Sequence, residues 1–121
     1  MAAIQCTSLT IGYGSTIIQH SLNLSLHGGE MVCMLGRNGC GKSTLLRTLA
    51  GLQAPLGGEY TIMNTPARAE TMNSQIALVL TERLSVDNTT IHDVVAMGRY
   101  PYTSFLGGLS KLDEEIIAQS L

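Results

Sequence analysis

One glycine-rich segment, which ends in Lys42 and Ser43, constrains this chain more than any other. It has Gly36, four further residues, and then Gly41, Lys42 and Ser43. Glycine accepts backbone conformations that turn successive N–H groups toward one point, and a helix that begins there adds unpaired N–H groups and the positive end of its dipole. The lysine adds a mobile positive charge. The segment therefore predicts a site for the phosphates of a nucleotide.

The sequence around this loop has the order of elements that such a site needs. Residues 31–35 are five consecutive apolar residues, which is typical of a strand buried on both faces. Residues 43–49 are good helix formers, and Gly51 gives that helix a C-terminal stop. A second buried strand is predicted for the apolar run at residues 76–80. These elements predict an α/β fold.

Two further strands are predicted before the loop. Residues 4–11 are strand-like, and in residues 17–26 leucines at 22, 24 and 26 alternate with polar residues. The turn that contains Tyr13 lies between them and favours antiparallel pairing. Residues 59–63 predict a short strand, and the polar residues 65–74 leave open a short helix.

Two helix starts can be recognised near the C-terminal end. Thr90 is a good N-cap, with Asp93 three residues later, and predicts a helix of about two turns that ends near Gly98. Ser110 and Asp113 have the same spacing and open a final helix.

The composition excludes several classes of protein. The net charge is −2, with seven Lys and Arg against nine Asp and Glu and no basic run, so no nucleic-acid partner is expected. Three cysteines without metal-type spacing favour a reduced, cytosolic setting over a disulfide scaffold, and Cys33 is expected to be buried. No apolar run approaches the roughly 20 residues that cross a bilayer.

Three segments resemble the N-terminal part of an ATP-binding-cassette (ABC) transporter ATPase. The loop Gly36-Arg-Asn-Gly-Cys-Gly-Lys-Ser-Thr44 and the helix after it resemble the family's P-loop, or Walker A segment. The segment Leu9-Thr-Ile-Gly-Tyr13-Gly resembles the region where an aromatic residue stacks on adenine. Pro55-Leu-Gly-Gly-Glu59 resembles the turn and strand that follow the P-loop helix.

The resemblance implies MgATP as the ligand and gives each loop residue a role. Lys42 is expected to reach the β- and γ-phosphates, Ser43 to ligate Mg²⁺, Thr44 to bond a phosphate oxygen, and Tyr13 to stack on adenine. The expected nucleotide-binding residues are Tyr13, Gly36, Arg37, Asn38, Gly39, Cys40, Gly41, Lys42, Ser43 and Thr44.

The stretch from Gly98 to Tyr102, with Leu109 to Glu115, resembles importers of iron–siderophore complexes, haem or cobalamin. The resemblance implies a membrane-spanning permease as partner, contacted through Gly98 to Phe105, and a second ATP-binding subunit in a homodimer. It also implies a cytoplasmic protein, peripheral on the inner face of the cell membrane. The connector from Gly98 to Phe105 is rich in aromatic residues although the chain as a whole has few. Aromatic residues are enriched at protein interfaces, so this composition favours a contact with a partner.

The chain departs from the family's pattern in two ways. The family has a glutamine after the strand equivalent to residues 76–80, whereas this chain has Thr81, followed by Glu82. Thr81 is kept with Lys42 as a candidate catalytic residue and with Ser43 as a candidate metal ligand. The signature segment, the Walker B acidic strand end and the switch histidine are also absent from the 121 residues. Residues 1–121 are therefore expected to be the N-terminal part of an ABC-type domain that binds ATP without turning it over.

Two other interpretations remain open at this point. A small-molecule kinase also uses a P-loop, although such kinases usually begin close to it, whereas about thirty residues precede it here. A non-catalytic nucleotide-binding or assembly module would bind MgATP without hydrolysis even in the full-length protein.

Overall fold

The computed structural model describes residues 1–67, 74–81 and 87–121. These residues form two compact units, Met1–Leu78 and Val79–Leu121. The predicted phosphate loop belongs to the first unit, and the predicted contact region for a permease belongs to the second.

A four-stranded antiparallel sheet forms the first unit. Its strands, in chain order, are β1 (Ala2–Tyr13), β2 (Thr16–His27), β3 (Gly57–Ile62) and β4 (Thr65–Pro66). In the sheet they stand in the order β2-β1-β3-β4. β1 and β2 pair as a hairpin, with Tyr13 opposite Thr16 at its tip, which confirms the predicted antiparallel pairing. The alternating leucines of β2 are half-buried, as their spacing predicts.

The helix after the glycine loop, α1 (Lys42–Leu49), packs on this sheet. The core is mostly aliphatic; its buried residues are Cys6, Leu9, Ile11, Leu49, Tyr60 and Ile62. The phenol of Tyr60 donates a hydrogen bond of 2.6 Å to the carbonyl of Thr48. This bond, with the fully buried Thr48, fixes the C-terminal turn of α1 against β3.

The two predicted core strands are not strands in the structure. Residues 31–35 have no regular structure, and Met31 and Leu35 are 95% and 91% exposed. Residues 76–80 also lack strand structure, and Val79 is 95% exposed. A strand needs a neighbour for its backbone hydrogen bonds, and no strand of the described residues pairs with either segment. Cys33, predicted to be buried, is exposed for the same reason.

The short helix that the sequence left open at residues 65–74 does not begin at residue 65, because Thr65–Pro66 forms strand β4. Residues 68–73 lie outside the described residues.

In the second unit, α2 (Ile91–Met97) and α3 (Lys111–Ser120) begin as the sequence predicts. Each has a capping box, in which an N-cap hydroxyl and an acidic side chain three residues later satisfy each other's backbone N–H groups. Between them Tyr100–Tyr102 forms a 3₁₀ turn. The guanidinium of Arg99 donates to the Asp113 carboxylate at 2.7 Å and stacks 4.2 Å from the ring of Tyr102. The start of α3 and the aromatic connector are thereby held together.

Candidate phosphate-binding site

Two glycines of the loop adopt backbone conformations that other residues rarely take. Gly39 has φ of 83° and Gly41, the N-cap of α1, has φ of 102°. A Cβ at position 39 would meet nothing within 4 Å, so glycine is needed there for conformation alone. A Cβ at position 41 would also stand 2.8 Å from Cγ2 of Ile18. The loop therefore lies directly on β2.

The first turn of α1 offers its backbone N–H groups without a side-chain cap. In α2 and α3 a capping box fills that role, so the open N-terminus is specific to the glycine loop among the described α-helices. The first N–H groups of a helix have no intrahelical acceptor and favour an anion. The sequence predicted this feature from the motif.

A cavity of about 300 Å³ lies at this helix start. Its lining residues are Tyr13, Ile18, Asn38, Gly39, Gly41, Lys42, Ser43 and Thr44. None of these described residues is acidic, and Lys42 adds a positive charge. The cavity thus joins the open helix N-terminus, a lysine and the hydroxyls of Tyr13, Ser43 and Thr44, a donor set that suits a polyphosphate.

The Lys42 side chain folds back over the loop. Its ammonium donates to the carbonyl of Gly36 at 2.7 Å and to that of Arg37 at 2.8 Å, and it lies 3.8 Å from the Cys40 sulfur. These contacts keep the charge beside the loop amides. The two carbonyls and the weak contact with the Cys40 sulfur use the three donors of the ammonium. An anion that replaces the sulfur contact would leave the group anchored to the carbonyls.

Tyr13 lies on the rim of the same cavity. Its ring is 52% exposed, and its phenolic oxygen accepts a hydrogen bond of 3.2 Å from the hydroxyl of the buried Thr44. The hairpin tip is therefore in contact with the first turn of α1. The structure therefore brings Tyr13 to the same cavity as six of the predicted loop residues: Asn38, Gly39, Gly41, Lys42, Ser43 and Thr44. Gly36, Arg37 and Cys40, which were also predicted, are not among the described residues that line it.

Two glutamines that no sequence pattern indicates hold this arrangement. Gln19 of β2 donates through Nε2 to the carbonyl of Cys40 at 3.2 Å. Gln53, which follows α1, donates to the carbonyl of Gly12 at the hairpin tip. Nothing in the sequence marks either residue, since a single polar side chain carries no periodic or motif signal. Ile18, which packs behind Gly41, was missed for the same reason.

Of the two candidate metal ligands, Ser43 lines the phosphate cavity and Thr81 is not among its described lining residues. Ser43 is exposed and lines the cavity. One hydroxyl oxygen fits Mg²⁺, which takes oxygen ligands and keeps several waters and substrate phosphates. Thr81 is an exposed residue of the second unit, and Glu82 lies outside the described residues. Among residues 1–67, 74–81 and 87–121, no three His, Cys, Asp or Glu side chains form a cluster that could hold a metal ion.

A second, larger cavity of about 580 Å³ lies elsewhere in the first unit. Its lining residues lie in the segment from Gly51, after α1, to Ala67, after β4, and include Gln53 and Glu59. Glu59 is the one charged side chain among the described lining residues, and it would repel a phosphate. The smaller cavity therefore carries the chemistry that the motif predicts.

Among the described residues, four groups have a shifted pKa, and all four lie away from the loop. Burial raises the pKa of the Cys6 thiol and that of the Tyr60 phenol, where the nearby Cys6 adds to the effect. Hydrogen bonds from Thr90 lower the pKa of Asp93. Those from Ser110, reinforced by Arg99, lower the pKa of Asp113 from 3.8 to about 2. These groups support the fold and do not face the phosphate cavity.

No helix in the part of the chain that the structure describes is long and apolar enough to cross a membrane.

Comparison with known proteins places the chain in a family. The sequence profile described as ABC transporter matches residues 19–119. The chain is 40% identical to an ATP-binding protein of Bacillus subtilis that is named for a siderophore transport system, over 100% of this chain and 45% of that protein. It is 30% identical to the ferric enterobactin transport ATP-binding protein of Escherichia coli, over 100% of this chain and 46% of that one.

A solved structure agrees with these matches. It is described as a metal-chelate type ABC transporter in an inward-facing conformation, and it superposes with a TM-score of 0.78 at 27% identity, over 100% of this chain and 45% of that chain. The chain thus spans about half the length of the relatives it matches. The family profile covers most of the chain, and the glycine loop at residues 36–43 lies within the matched range. This chain therefore belongs to the ABC transporter family.

Proposed function

We propose that this chain binds MgATP on the loop from Gly36 to Thr44, as part of the ATP-binding subunit of an importer. One observation carries the proposal. The open N-terminus of α1, the Lys42 ammonium and the Ser43 hydroxyl all meet at a single cavity that no carboxylate of the described residues lines. Family membership supports ATP as the nucleotide.

Each side chain has a distinct task in this proposal. Lys42 binds the β- and γ-phosphates while the loop carbonyls anchor it, and the N–H groups of the loop and first turn bind the remaining phosphate oxygens. Ser43 holds Mg²⁺, which neutralises charge on the phosphates when bound. The exposed ring of Tyr13 stacks on adenine.

The names of the relatives support a substrate class. They include ATP-binding proteins for siderophores, petrobactin, achromobactin and ferric enterobactin. We therefore propose that the full-length protein powers uptake of an iron–siderophore complex or a related chelate. As in the sequence-based prediction, haem and cobalamin remain within this class.

The partners follow from the same proposal. A membrane-spanning permease would contact the connector from Gly98 to Phe105, where Tyr100 and Phe105 are exposed and Arg99 holds the chain in place. A second ATP-binding subunit would complete a homodimer. The protein would then be cytoplasmic and peripheral on the inner face of the membrane.

We further propose that residues 1–121 form the N-terminal part of an ABC-type ATP-binding domain, and that alone they bind ATP without hydrolysing it. Phosphoryl transfer needs positioned Mg²⁺, an oriented water and charge stabilisation together. The 121 residues contain no signature segment, no Walker B acidic strand end and no switch histidine.

Two assays on the same preparation test this proposal. Binding of MgATP is measured by calorimetry, and release of phosphate is measured over hours at saturating MgATP. We expect binding with no phosphate release above a no-protein control. Absence of binding would contradict the site, whereas steady turnover by this chain would contradict only the division between binding and hydrolysis.

A further inference from the structure

Two glutamine side chains connect the hairpin tip to the glycine loop and its helix. Gln19 donates to the carbonyl of Cys40, inside the loop. Gln53 donates to the carbonyl of Gly12, at the hairpin tip. Neither glutamine is among the described residues that line the phosphate cavity. Both therefore act on the backbone from behind the cavity rather than on its contents.

The bond from Gln19 fixes the peptide group that joins Cys40 to Gly41. In a planar trans peptide the C=O and the following N–H point in opposite directions. With the Cys40 carbonyl held toward Gln19, the Gly41 N–H is aimed to the opposite side. A glycine at φ of 102° has no Cβ contacts to hold it, and Cγ of Gln19 lies 3.5 Å from the point where such a Cβ would stand. Gln19 thus supplies the restraint that Gly41 lacks.

The bond from Gln53 fixes the peptide group directly before Tyr13. Gly12 is buried, and a Cβ there would stand 2.8 Å from Cδ1 of Leu56 and closer still to the Thr16 carbonyl. Gln53 is half-buried and follows α1 in the chain. Its amide therefore ties the end of the helix that begins at the phosphate loop to the backbone from which the Tyr13 ring projects.

We propose that Gln19 and Gln53 are positioning residues of the nucleotide site. Gln19 orients the Gly41 amide toward the phosphates, and Gln53 orients Tyr13 toward the base. The inference rests on the proposed function, since both roles concern a bound nucleotide. The two roles are separable, because one glutamine serves the phosphates and the other serves the base.

The test compares two ligands on three variants. The variants are Gln19→Met, Gln53→Met and the control Gln5→Met, since Gln5 is an exposed β1 glutamine with no side-chain hydrogen bond to the described residues. MgATP and magnesium tripolyphosphate, which has no base, are titrated by calorimetry. Unfolding curves establish that each variant is folded at the temperature used.

The expected pattern is a split between the ligands. Gln19→Met lowers the affinity for both ligands by the same factor, about 2- to 10-fold, which is the range for the loss of one hydrogen bond. Gln53→Met lowers the affinity for MgATP by a similar factor and leaves the affinity for tripolyphosphate within error of the wild-type value. Gln5→Met changes neither. A general loss of stability would weaken both ligands, so it cannot explain the result expected for Gln53→Met; for Gln19→Met, the unfolding curves and the Gly41 amide signal make that distinction.

An NMR measurement without nucleotide tests the geometry directly. Loss of a hydrogen bond at a carbonyl shifts the amide signal of the next residue. We expect Gln19→Met to shift the Gly41 amide signal, and Gln53→Met to shift that of Tyr13, each without the other.

Several outcomes would overturn the inference. The role of Gln19 fails if Gln19→Met leaves both affinities unchanged or weakens MgATP alone, and that of Gln53 fails if Gln53→Met weakens both ligands equally or neither. A wild-type chain that binds neither ligand would contradict the proposed function instead, and with it the nucleotide-positioning roles. The amide signals would then still show whether the glutamines orient the two peptides.

Discussion

The hydroxyl of Thr44 donates a hydrogen bond of 3.2 Å to the phenolic oxygen of Tyr13. Thr44 is buried in the first turn of α1, whereas the Tyr13 ring is half-exposed on the hairpin tip. The contact joins residues 31 positions apart in the chain at the rim of the phosphate cavity. It holds the half-exposed ring at the cavity where we propose that the nucleotide binds.

Substitution of Tyr13 separates the ring from its hydroxyl. Tyr13→Phe keeps the ring and loses only the bond from Thr44, so we expect MgATP affinity to fall by no more than about 10-fold and by less than in Tyr13→Ala. Tyr13→Ala removes the stacking surface, worth about 1–3 kcal/mol, and affinity should fall by about 5- to 150-fold. Calorimetric titration measures both. Equal losses in the two variants would argue against stacking.

The glycines of the first unit form a graded series for stability. Gly28→Ala meets no neighbour and needs no left-handed backbone, so it serves as the control. Gly39→Ala keeps open space but forces alanine to φ of 83°, which costs about 1–2 kcal/mol. Gly41→Ala adds a contact of 2.8 Å with Ile18 and should cost more. Urea unfolding measures the free energy of unfolding of each variant. We expect the loss of stability to be smallest at position 28, larger at 39 and largest at 41, and the reverse order would contradict the loop geometry.

Cys40 offers a chemical probe of the loop. Its side chain is half-buried, and its sulfur lies 3.8 Å from the Lys42 ammonium. We expect MgATP on the loop to slow alkylation of Cys40, as read by mass spectrometry of the peptides. The exposed Cys33 is an internal control, and its rate should not change. Modification of Cys40 that is unaffected by MgATP would argue against nucleotide over the loop.

Asp113 predicts a pH dependence in the second unit. Bonds from Ser110 and Arg99 lower its pKa from 3.8 to about 2. A lowered pKa in the folded state means that the carboxylate stabilises the fold above pH 3.8 and loses this effect as the pH falls through about 2.

Asp113→Asn should therefore lower the unfolding temperature at pH 6, and the gap to wild type should close between pH 4 and about 2. Thermal unfolding followed by circular dichroism measures it. Glu115→Gln, an exposed change in the same helix, is the control. A gap that stays constant down to pH 2 would show that the stabilisation does not depend on ionised Asp113.

Local signals in the sequence predicted the local parts of the fold. The hairpin of β1 and β2, the start of α1 and the capping boxes at Thr90 and Ser110 each depend on residues close together in the chain, and all are present. The P-loop motif likewise indicated the cavity, because its glycines and Lys42 act through neighbouring backbone groups. Tyr13 was placed at the site by the family resemblance.

Features that depend on distant partners could not be predicted in the same way. The apolar runs at 31–35 and 76–80 predict burial, but a strand also needs neighbours, and the described residues supply none. The glutamines at 19 and 53 act through bonds that span 21 and 41 residues. Their partners become visible only when the hairpin is folded over the loop. Charge and hydropathy patterns along the sequence do not predict such long-range hydrogen bonds.

Lys42 gives the most direct test of the central claim that this loop binds the phosphates of MgATP. Its ammonium is the one lysine or arginine charge among the described residues that line the cavity, and a charged hydrogen bond contributes about 1.5–3 kcal/mol. Equilibrium titration of wild type and Lys42→Ala with MgATP should show saturable binding to wild type. In the variant we expect affinity to be weaker by about 10- to 150-fold, measured at a temperature at which unfolding curves show both proteins to be folded. Equal affinity of the two proteins for MgATP would contradict the account.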